Sequence, residues 1–363
     1  MIEPKPLVRQ LKRMKDLGSE RHHAMRLDKN ERTFPFPDEV FRDMMARVTS
    51  EDLTMYPDQT PLYKKLAARH GLDVSQILLT AGSDAALKTI FECYVREGDR
   101  VVFLDPTYAM IDVYSDLYGA QKTKLGYGPD LSFDTRKLLD AVTDGVRAVF
   151  IANPNQPTGT ILEEAVLGQL LERCEKAGAL LVMDEAYIQF SGERSMIRLA
   201  GAHPNLAVVQ TFSKACGLAS VRLGFIAAHA DLIQILYRTK PLADINLFAV
   251  KLGEYLMDQT EIVEQYAAEI RESKAFLKQS LSKLGVECLD SRANFVHLRM
   301  ASGTDLAGIV REMEKKGFLL RAGGQGLPAV LTGCVRITVG VRSQMKEFLH
   351  AFESVLQSLP ALR

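Results

Sequence analysis

The 45 basic and 45 acidic side chains of this 363-residue sequence cancel. No net charge draws the chain to nucleic acid or to an anionic membrane surface. Long apolar runs are missing too: the longest, such as 177–183, are far too short to cross a bilayer. The N-terminal residues carry a charge every few positions (Lys5, Arg9, Lys12, Arg13, Lys15) and no apolar segment of a secretion signal, so they read as the polar face of a short helix. Cysteine is sparse: Cys93, Cys174, Cys216, Cys288 and Cys334 are scattered without Cys-x-x-Cys spacing. That argues against a disulfide framework or a zinc site and fits a reducing cytoplasm. There is no internal repeat and no low-complexity linker. No Gly-x-Gly-x-x-Gly opens a helix after a strand, since Gly323-Gly324-Gln325-Gly326 runs into Pro328, and a nicotinamide enzyme is disfavoured. What remains, 47% hydrophobic and 25% charged, is the composition of a globular chain with room for a large α/β domain and a smaller companion.

Residues 1–45 look irregular, with Leu27-Asp28-Lys29-Asn30-Glu31-Arg32 followed by Pro35 and Pro37, and read as an arm wrapping another part of the chain. The two-proline loop Tyr56-Pro57-Asp58-Gln59-Thr60-Pro61 leads into an amphipathic helix over 62–70. Apolar strand candidates at 77–80, 101–104, 148–152, 180–183, 206–209 and 225–228 alternate with helical segments, which predicts a mostly parallel sheet covered on both faces. Apolar spacing from Ile262 to Leu284 predicts one long helix. Strands at 294–298, 317–320 and 335–339 around a helix at 305–316 make a small α+β unit. The expected layout is a large domain at 46–250, with 1–45 and 251–363 building the smaller one.

Chemistry collects at the predicted strand ends, where open α/β sheets hold ligands. Ser213 and Lys214 follow the strand at 206–209. A lysine there can form Schiff bases if its amine is desolvated or set near another cation, and the nearby Arg222 has the planar fork that suits phosphate. Gly82-Ser83-Asp84 opens a helix with Ser83 or Asp84 as N-cap, a terminus that either binds phosphate or is simply capped. Tyr108 could stack on a flat heterocycle or merely pack. Asn155 and Gln156, in Asn153-Pro154-Asn155-Gln156-Pro157-Thr158-Gly159, put amides on a rigid turn. Asp184 ends an all-apolar strand, where a carboxylate is costly unless paired, and a pyridinium nitrogen is a fitting partner. An amine, a ring-nitrogen carboxylate, a stacking ring, a phosphate cup and hydrogen-bond donors together are what pyridoxal 5′-phosphate requires.

With these motifs in this order, the sequence from about Leu27 to Val341 resembles the fold-type-I pyridoxal-phosphate aminotransferases, and among them the histidinol-phosphate aminotransferase family. The resemblance implies an α/β fold with a mostly parallel seven-stranded sheet covered by helices, plus a small α+β domain from both chain ends. By the same resemblance Lys214 carries the cofactor as a Schiff base, Asp184 pairs with the pyridine nitrogen and Tyr187 hydrogen-bonds the phenolic oxygen. Tyr108 is the stacking ring, and Ser83, Asp84, Ser213 and Arg222 match the phosphate positions. Tyr56 matches a residue that reaches the neighbouring subunit's cofactor, which implies a homodimer. Arg336 and Arg321 resemble anion-binding arginines for the substrate, and Asn30 and Arg32 lie in the arm that contacts it. The sequence departs from the family in four places: Gln156 stands where the family usually has Asn, Ala85 replaces an acidic residue and Arg32 replaces an Asn. The fourth is a missing tyrosine that contacts the substrate's phosphate, for which His22, His23 or Arg32 could stand in. The implied activity is a cytoplasmic, biosynthetic transamination from an amino-acid donor, L-glutamate first, to a small phosphorylated carbonyl acceptor. The alternative is decarboxylation of a phosphorylated amino acid such as phosphoserine or phosphothreonine. A catalytically silent regulatory module is disfavoured by the presence of both Lys214 and Asp184.

Overall fold

The structure, a computed structural model, describes residues 2–11, 21–323 and 328–358. Lys12, Arg13 and Lys15 of the basic cluster, and Gly324-Gln325-Gly326, lie outside the described residues. Arg9, from the same cluster, sits on a short helix, Pro6–Gln10.

Seven strands form the main sheet: β1 Ile77–Thr80, β2 Arg100–Asp105, β3 Gln121–Gly126, β4 Val146–Ala152, β5 Leu180–Asp184, β6 Leu206–Thr211 and β7 Gly224–Ala228. Their order is β1-β7-β6-β5-β4-β2-β3, and every neighbouring pair is parallel except those made by β7. Because β7 runs against both β6 and β1, β1 points the same way as β6. The C-terminal ends of β1, β2, β4, β5 and β6 therefore open on one edge, and the start of β7 joins them there. Strands β5, β6 and β7 are buried along their whole length, as strands covered on both faces must be. Alternate residues feed two cores: Phe150 of β4 stacks on Phe91 of the helix Ser83–Tyr94 at 4.3 Å, while Val149 and Ile151 face the helix Glu164–Ala177 side with Leu167 and Leu170.

The edge strand β3 carries no apolar run, which is why hydropathy did not mark it. It exposes its ladder on one side and presents lysines, Lys122 and Lys124 both pairing with Asp112 at 3.0 and 2.7 Å. A second element without a clear signal in the sequence is the helix Leu247–Asp258, started by the Asn246 side chain, which accepts the Ala249 N–H at 2.9 Å. It packs on the helix Thr60–His70 and spans the expected border at 250. The long helix Thr260–Lys283 follows it.

The smaller sheet is antiparallel, in the order Arg321–Ala322, Cys334–Thr338, Phe295–Arg299, Glu287–Cys288. The arm is more regular than its sequence suggested. Met25–Arg26 pairs in parallel with Phe318–Leu319, and Asp38–Met45 is a helix whose Asp38 and Glu39 suit the positive end of its dipole. Pro37, read as punctuation, stands at that helix's N-cap. No helix among the described residues is long and apolar enough to cross a membrane, and the five cysteines are free thiols.

Candidate active site

One pocket gathers most of the strand-end residues singled out in the sequence. Its cavity, of about 120 Å³, is lined by Ser83, Asp84, Tyr108, Pro154, Gln156, Asp184, Tyr187, Ser213, Lys214 and Arg222. A roomier cavity of about 370 Å³ opens behind Phe212, between Leu66, His70, Met257 and Arg271, but it has no lysine facing a carboxylate and no such convergence of donors.

At the floor stands Asp184, the last residue of β5 and only 5% exposed. Its Oδ1 accepts the Ala186 N–H at 3.1 Å. Burial pushes the carboxyl up to about 6, against the pull of that N–H and of Lys214, with Asp84 adding to the rise. No ion pair reaches it among the described residues, so the fold holds a carboxylate in need of a cation. Lys214, just past β6, is half-buried. Its Nζ donates to the Lys29 carbonyl at 3.3 Å and lies 5.5 Å from the centre of the Tyr187 ring.

Opposite the floor is a cup for an anion. Gly82, not Ser83 or Asp84, is the N-cap of the helix Ser83–Tyr94, and no side chain caps that end. Its first N–H groups and the Ser83 hydroxyl remain available to a ligand. Asp84 turns its carboxylate away, accepting from the Tyr114 hydroxyl at 3.0 Å and the Tyr108 hydroxyl at 3.5 Å, so only its backbone N–H can serve an anion. Arg222 adopts a left-handed backbone conformation (φ 60°) and donates from Nη1 to Ser213 Oγ at 3.3 Å. Its guanidinium lies so close to Gly82 that a Cβ there would sit 2.6 Å from Nη2. The φ of 84° is what calls for glycine at this turn, and a Cβ there would also displace the end of the Arg222 side chain. The strained arginine, the bare helix end and the unpaired buried carboxylate fit a flat cationic heterocycle carrying a phosphate, the group that the sequence resemblance implies.

The amide turn corrects one expectation. Asn155 is committed: its Nδ2 donates to the Pro106 carbonyl at 2.9 Å and to Thr158 Oγ1 at 2.8 Å, and its Oδ1 accepts from Thr107 Oγ1 at 2.8 Å. Its side-chain donors are thus both used within the protein, and of the two amide residues only Gln156 lines the pocket. Arg32 is a second correction. Its guanidinium is sandwiched between Phe36 and Tyr266, at 4.4 and 4.0 Å from the ring centres, and does not line the pocket. Stacking on flanking aromatics satisfies a planar cation better than reaching across the arm would. His22 and His23 are exposed, and neither lines the pocket.

The arm nevertheless closes over the site. Asn30, at φ 56°, donates from Nδ2 to the Tyr187 hydroxyl at 3.2 Å, and its backbone N–H donates to Thr338 Oγ1 at 2.9 Å. One residue back, Lys29 offers its carbonyl to Lys214. One further back, the Asp28 carbonyl accepts from Arg336 Nη2 at 2.5 Å. Arg21 fastens the segment by pairing with Asp28 at 2.5 Å and Glu31 at 3.1 Å. Although burial pushes the Glu31 carboxyl up, Arg21 holds it below its ordinary value.

Arg336 and Arg321 face each other across adjacent strands, and His297 occupies the next place in the same row. Arg336 is 4% exposed, and its Nε has no partner. Burial, with Arg321 alongside, pushes the guanidinium down to about 10. Two like charges side by side with an unused buried donor ask for an anion. Tyr56 stands apart, 87% exposed and outside the pocket lining. Sequence reading missed the Asp28 and Lys29 carbonyls, Thr338, Arg21 and His297. Only His297 left a trace, as the one polar residue in the run Phe295-Val296-His297-Leu298.

Comparison with known proteins agrees with this geometry. Residues 22–352 match the family model described as aminotransferase class I and II. The chain is 32% identical over 340 residues to a histidinol-phosphate aminotransferase of Symbiobacterium thermophilum, covering 92% of this chain and 91% of the relative. It is 30% identical over 321 residues to one from Christiangramia forsetii, covering 87% and 89%. Among solved structures, the histidinol-phosphate aminotransferase of Sinorhizobium meliloti in complex with pyridoxal-5′-phosphate superposes with a TM-score of 0.85 at 25% identity, covering 99% of this chain and 98% of that one. An L-threonine-O-3-phosphate decarboxylase from Porphyromonas gingivalis shares the fold, with a TM-score of 0.78 at 23% identity, covering 92% and 100%.

Proposed function

The chain belongs to the class I and II aminotransferase family and is a pyridoxal 5′-phosphate-dependent transaminase, and from that premise we propose that it moves an amino group from L-glutamate to a small phosphorylated carbonyl compound, giving an amine of the histidinol-phosphate type. The observation that carries the substrate reading is the row of Arg321 and Arg336, paired across strands with a buried Nε unused; neither lines the pocket with the phosphate cup, but Arg336 is joined to its Tyr187 through the ring of Phe295.

In this reading Ser83, the first N–H groups of its helix, Ser213 and Arg222 hold the cofactor's phosphate. Asp184 would serve the ring nitrogen, Tyr108 would cover the ring, and Tyr187 and Gln156 would donate to its phenolic oxygen. When bound, the cofactor supplies an electron sink for the pair left behind as the donor's Cα–H bond breaks. Lys214 would take that proton on Nζ and deliver it to a carbon two bonds away, a transfer its flexible stem permits without a second base. Asp184, ionised beside a cationic ring nitrogen, trades its costly isolation for an ion pair and keeps that nitrogen charged. Asn30 orients the Tyr187 hydroxyl, while the arm shields Lys214 from bulk water. Arg336 and Arg321 receive the donor's carboxylate and then the acceptor's phosphate.

The same reading divides the chain into a cofactor-holding unit at 46–250 and a smaller one from 1–45 and 251–363, supported by the pairing of Met25–Arg26 with Phe318–Leu319. It also makes the protein a cytoplasmic homodimer in which Tyr56 reaches the neighbouring phosphate. The exposed side chains of Phe41, Leu53, Met55, Tyr56 and Leu242 support such an interface. Absorbance spectra of the purified protein before and after L-glutamate test the proposal. Conversion of the cofactor to its amino form, reversed by phosphorylated carbonyl compounds, is the expected result. No conversion, with carbon dioxide released from phosphoserine or phosphothreonine, would overturn it in favour of the decarboxylase.

A further inference from the structure

His297 has no part in the chemistry described so far, yet its surroundings are constrained on every side. It is 1% exposed, lies in register opposite Arg336, and meets Phe295 edge-on at 5.8 Å. Its Nε2 lies 2.6 Å from the Pro157 carbonyl. A carbonyl only accepts, so Nε2 carries the proton, and Nδ1 is left buried without a partner. Burial pushes the imidazole down to about 4, which keeps this neutral tautomer at working pH. A leucine at this place in an apolar strand would leave no orphaned nitrogen, but the Pro157 carbonyl would then lose the one donor it has among the described residues.

Pro157 directly follows Gln156, which lines the pocket and whose side-chain amide has no hydrogen bond to protein among the described residues. The turn is pinned on its other flanks. Asn155 ties it to the strand end of β2 through Pro106, and the Arg292 N–H donates to the Gly159 carbonyl at 2.8 Å. His297 is thus the side chain that connects the arginine row of the small sheet to the peptide beside the pocket amide.

We propose that His297 is a positioning residue that couples the Arg321–Arg336 anion row to Gln156, fixing through the Pro157 carbonyl where the Gln156 amide stands over the cofactor. The inference rests on the cofactor reading above. It predicts that the histidine changes the electronic state of the bound cofactor without touching it.

The test is a pH titration of the holoenzyme's visible absorbance, with the dissociation constant of pyridoxal phosphate from the reconstituted apoenzyme measured in parallel. Four proteins are compared with the unaltered enzyme: His297→Leu, His297→Gln, Gln156→Ala, and the Leu and Ala changes combined. Loss of one hydrogen bond that acts through Gln156 moves the midpoint by roughly 0.5–1 pH unit and weakens cofactor binding about 3–10-fold. His297→Gln can donate from nearly the same place as Nε2 and restores both. In the Gln156→Ala background, His297→Leu adds no further shift, because the residue through which it acts is gone. If the leucine variant does not fold, His297→Asn, too short to reach Pro157, replaces it. An unchanged midpoint in His297→Leu, or an equal shift with and without Gln156, overturns the coupling while leaving the cofactor reading intact. A wild-type enzyme that takes up no chromophore overturns both.

Discussion

Replacing Asp184 with asparagine should make the cofactor-free protein relatively more stable at alkaline pH while weakening its grip on the cofactor. Without a ring nitrogen beside it, the buried Asp184 carboxyl is pushed up to about 6 from the 3.8 of an unfolded chain. A group whose folded value is raised contributes stability that is complete below the unfolded value and is lost as pH climbs through the folded one. For Asp184 that window runs from about pH 4 to pH 6, and a rise of about two units is worth about 3 kcal/mol in full. Between pH 4.5 and pH 8, about 2 kcal/mol of it should disappear from the wild-type apoprotein and none from Asp184→Asn. The new amide has its own cost, an Nδ2 with no acceptor, but that cost is the same at both pH values and cancels in the comparison. The neighbouring Glu185, pushed up to about 7 by burial, titrates in both proteins. It shifts slightly the same way once the Asp184 charge is removed. Thermal unfolding of the two apoproteins across this range is the assay. The variant's melting temperature should gain on the wild type by on the order of 2–4 °C from pH 4.5 to pH 8, and saturating cofactor should reverse the order. A difference that stays flat with pH would refute the view that the pocket holds a carboxylate awaiting its counter-charge.

Arg222→Ala removes a charge-assisted contact from the phosphate cup and should weaken cofactor binding by about 1.5–3 kcal/mol, on the order of 10–100-fold in the dissociation constant by fluorescence titration. Gly82→Ala places a Cβ 2.6 Å from Arg222 Nη2 at a φ of 84°. It should cost about 1 kcal/mol or more in denaturant unfolding and disturb the cup as well. Lys214→Ala should bind the cofactor without covalent attachment, seen as a dialysable chromophore, and lose amino transfer by at least about 10²–10⁴-fold in stopped-flow half-reactions. Mixing Lys214→Ala chains with Tyr56→Ala chains should restore about a quarter of the sites if Tyr56 serves its neighbour, since each mixed dimer of a two-fold assembly then holds one intact site. No recovery after mixing would place Tyr56 outside the neighbouring site.

Six of the seven main strands were readable because strands buried on both faces must be apolar throughout, and the residues at their C-terminal ends then stand out as polar interruptions. Lys214 and Asp184 were visible for that reason, whereas Tyr187 was named only through the family resemblance. β3 was not, because an edge strand needs no apolar face, and Gln121-Lys122-Thr123-Lys124 has none. Asn155 and Gln156 show a finer limit. Both are amides on one turn, and which of them faces the pocket depends on which finds partners behind it. Asn155 found three, in Pro106, Thr107 and Thr158, and so was withdrawn from the site. Composition holds no record of that choice.

Arg32 failed for a related reason. An arginine in the arm next to the substrate position offers a cation, but Phe36 and Tyr266 offer that cation two ring faces. The second of these comes from a helix more than two hundred residues away. What the arm does contribute to the pocket comes mostly from its backbone: the Asp28 carbonyl to Arg336 and the Lys29 carbonyl to Lys214. Every residue has a carbonyl, so no sequence pattern distinguishes these two. They are set by Asn30, whose left-handed backbone and hydrogen bonds to Thr338 and Tyr187 fix the direction of the segment before it. Asparagine tolerates that conformation where most residues do not. The one arm residue whose chemistry could be anticipated from its letter therefore also orients the two carbonyls that could not, and an incoming anion meets Arg336 already pointed by a bond to Asp28.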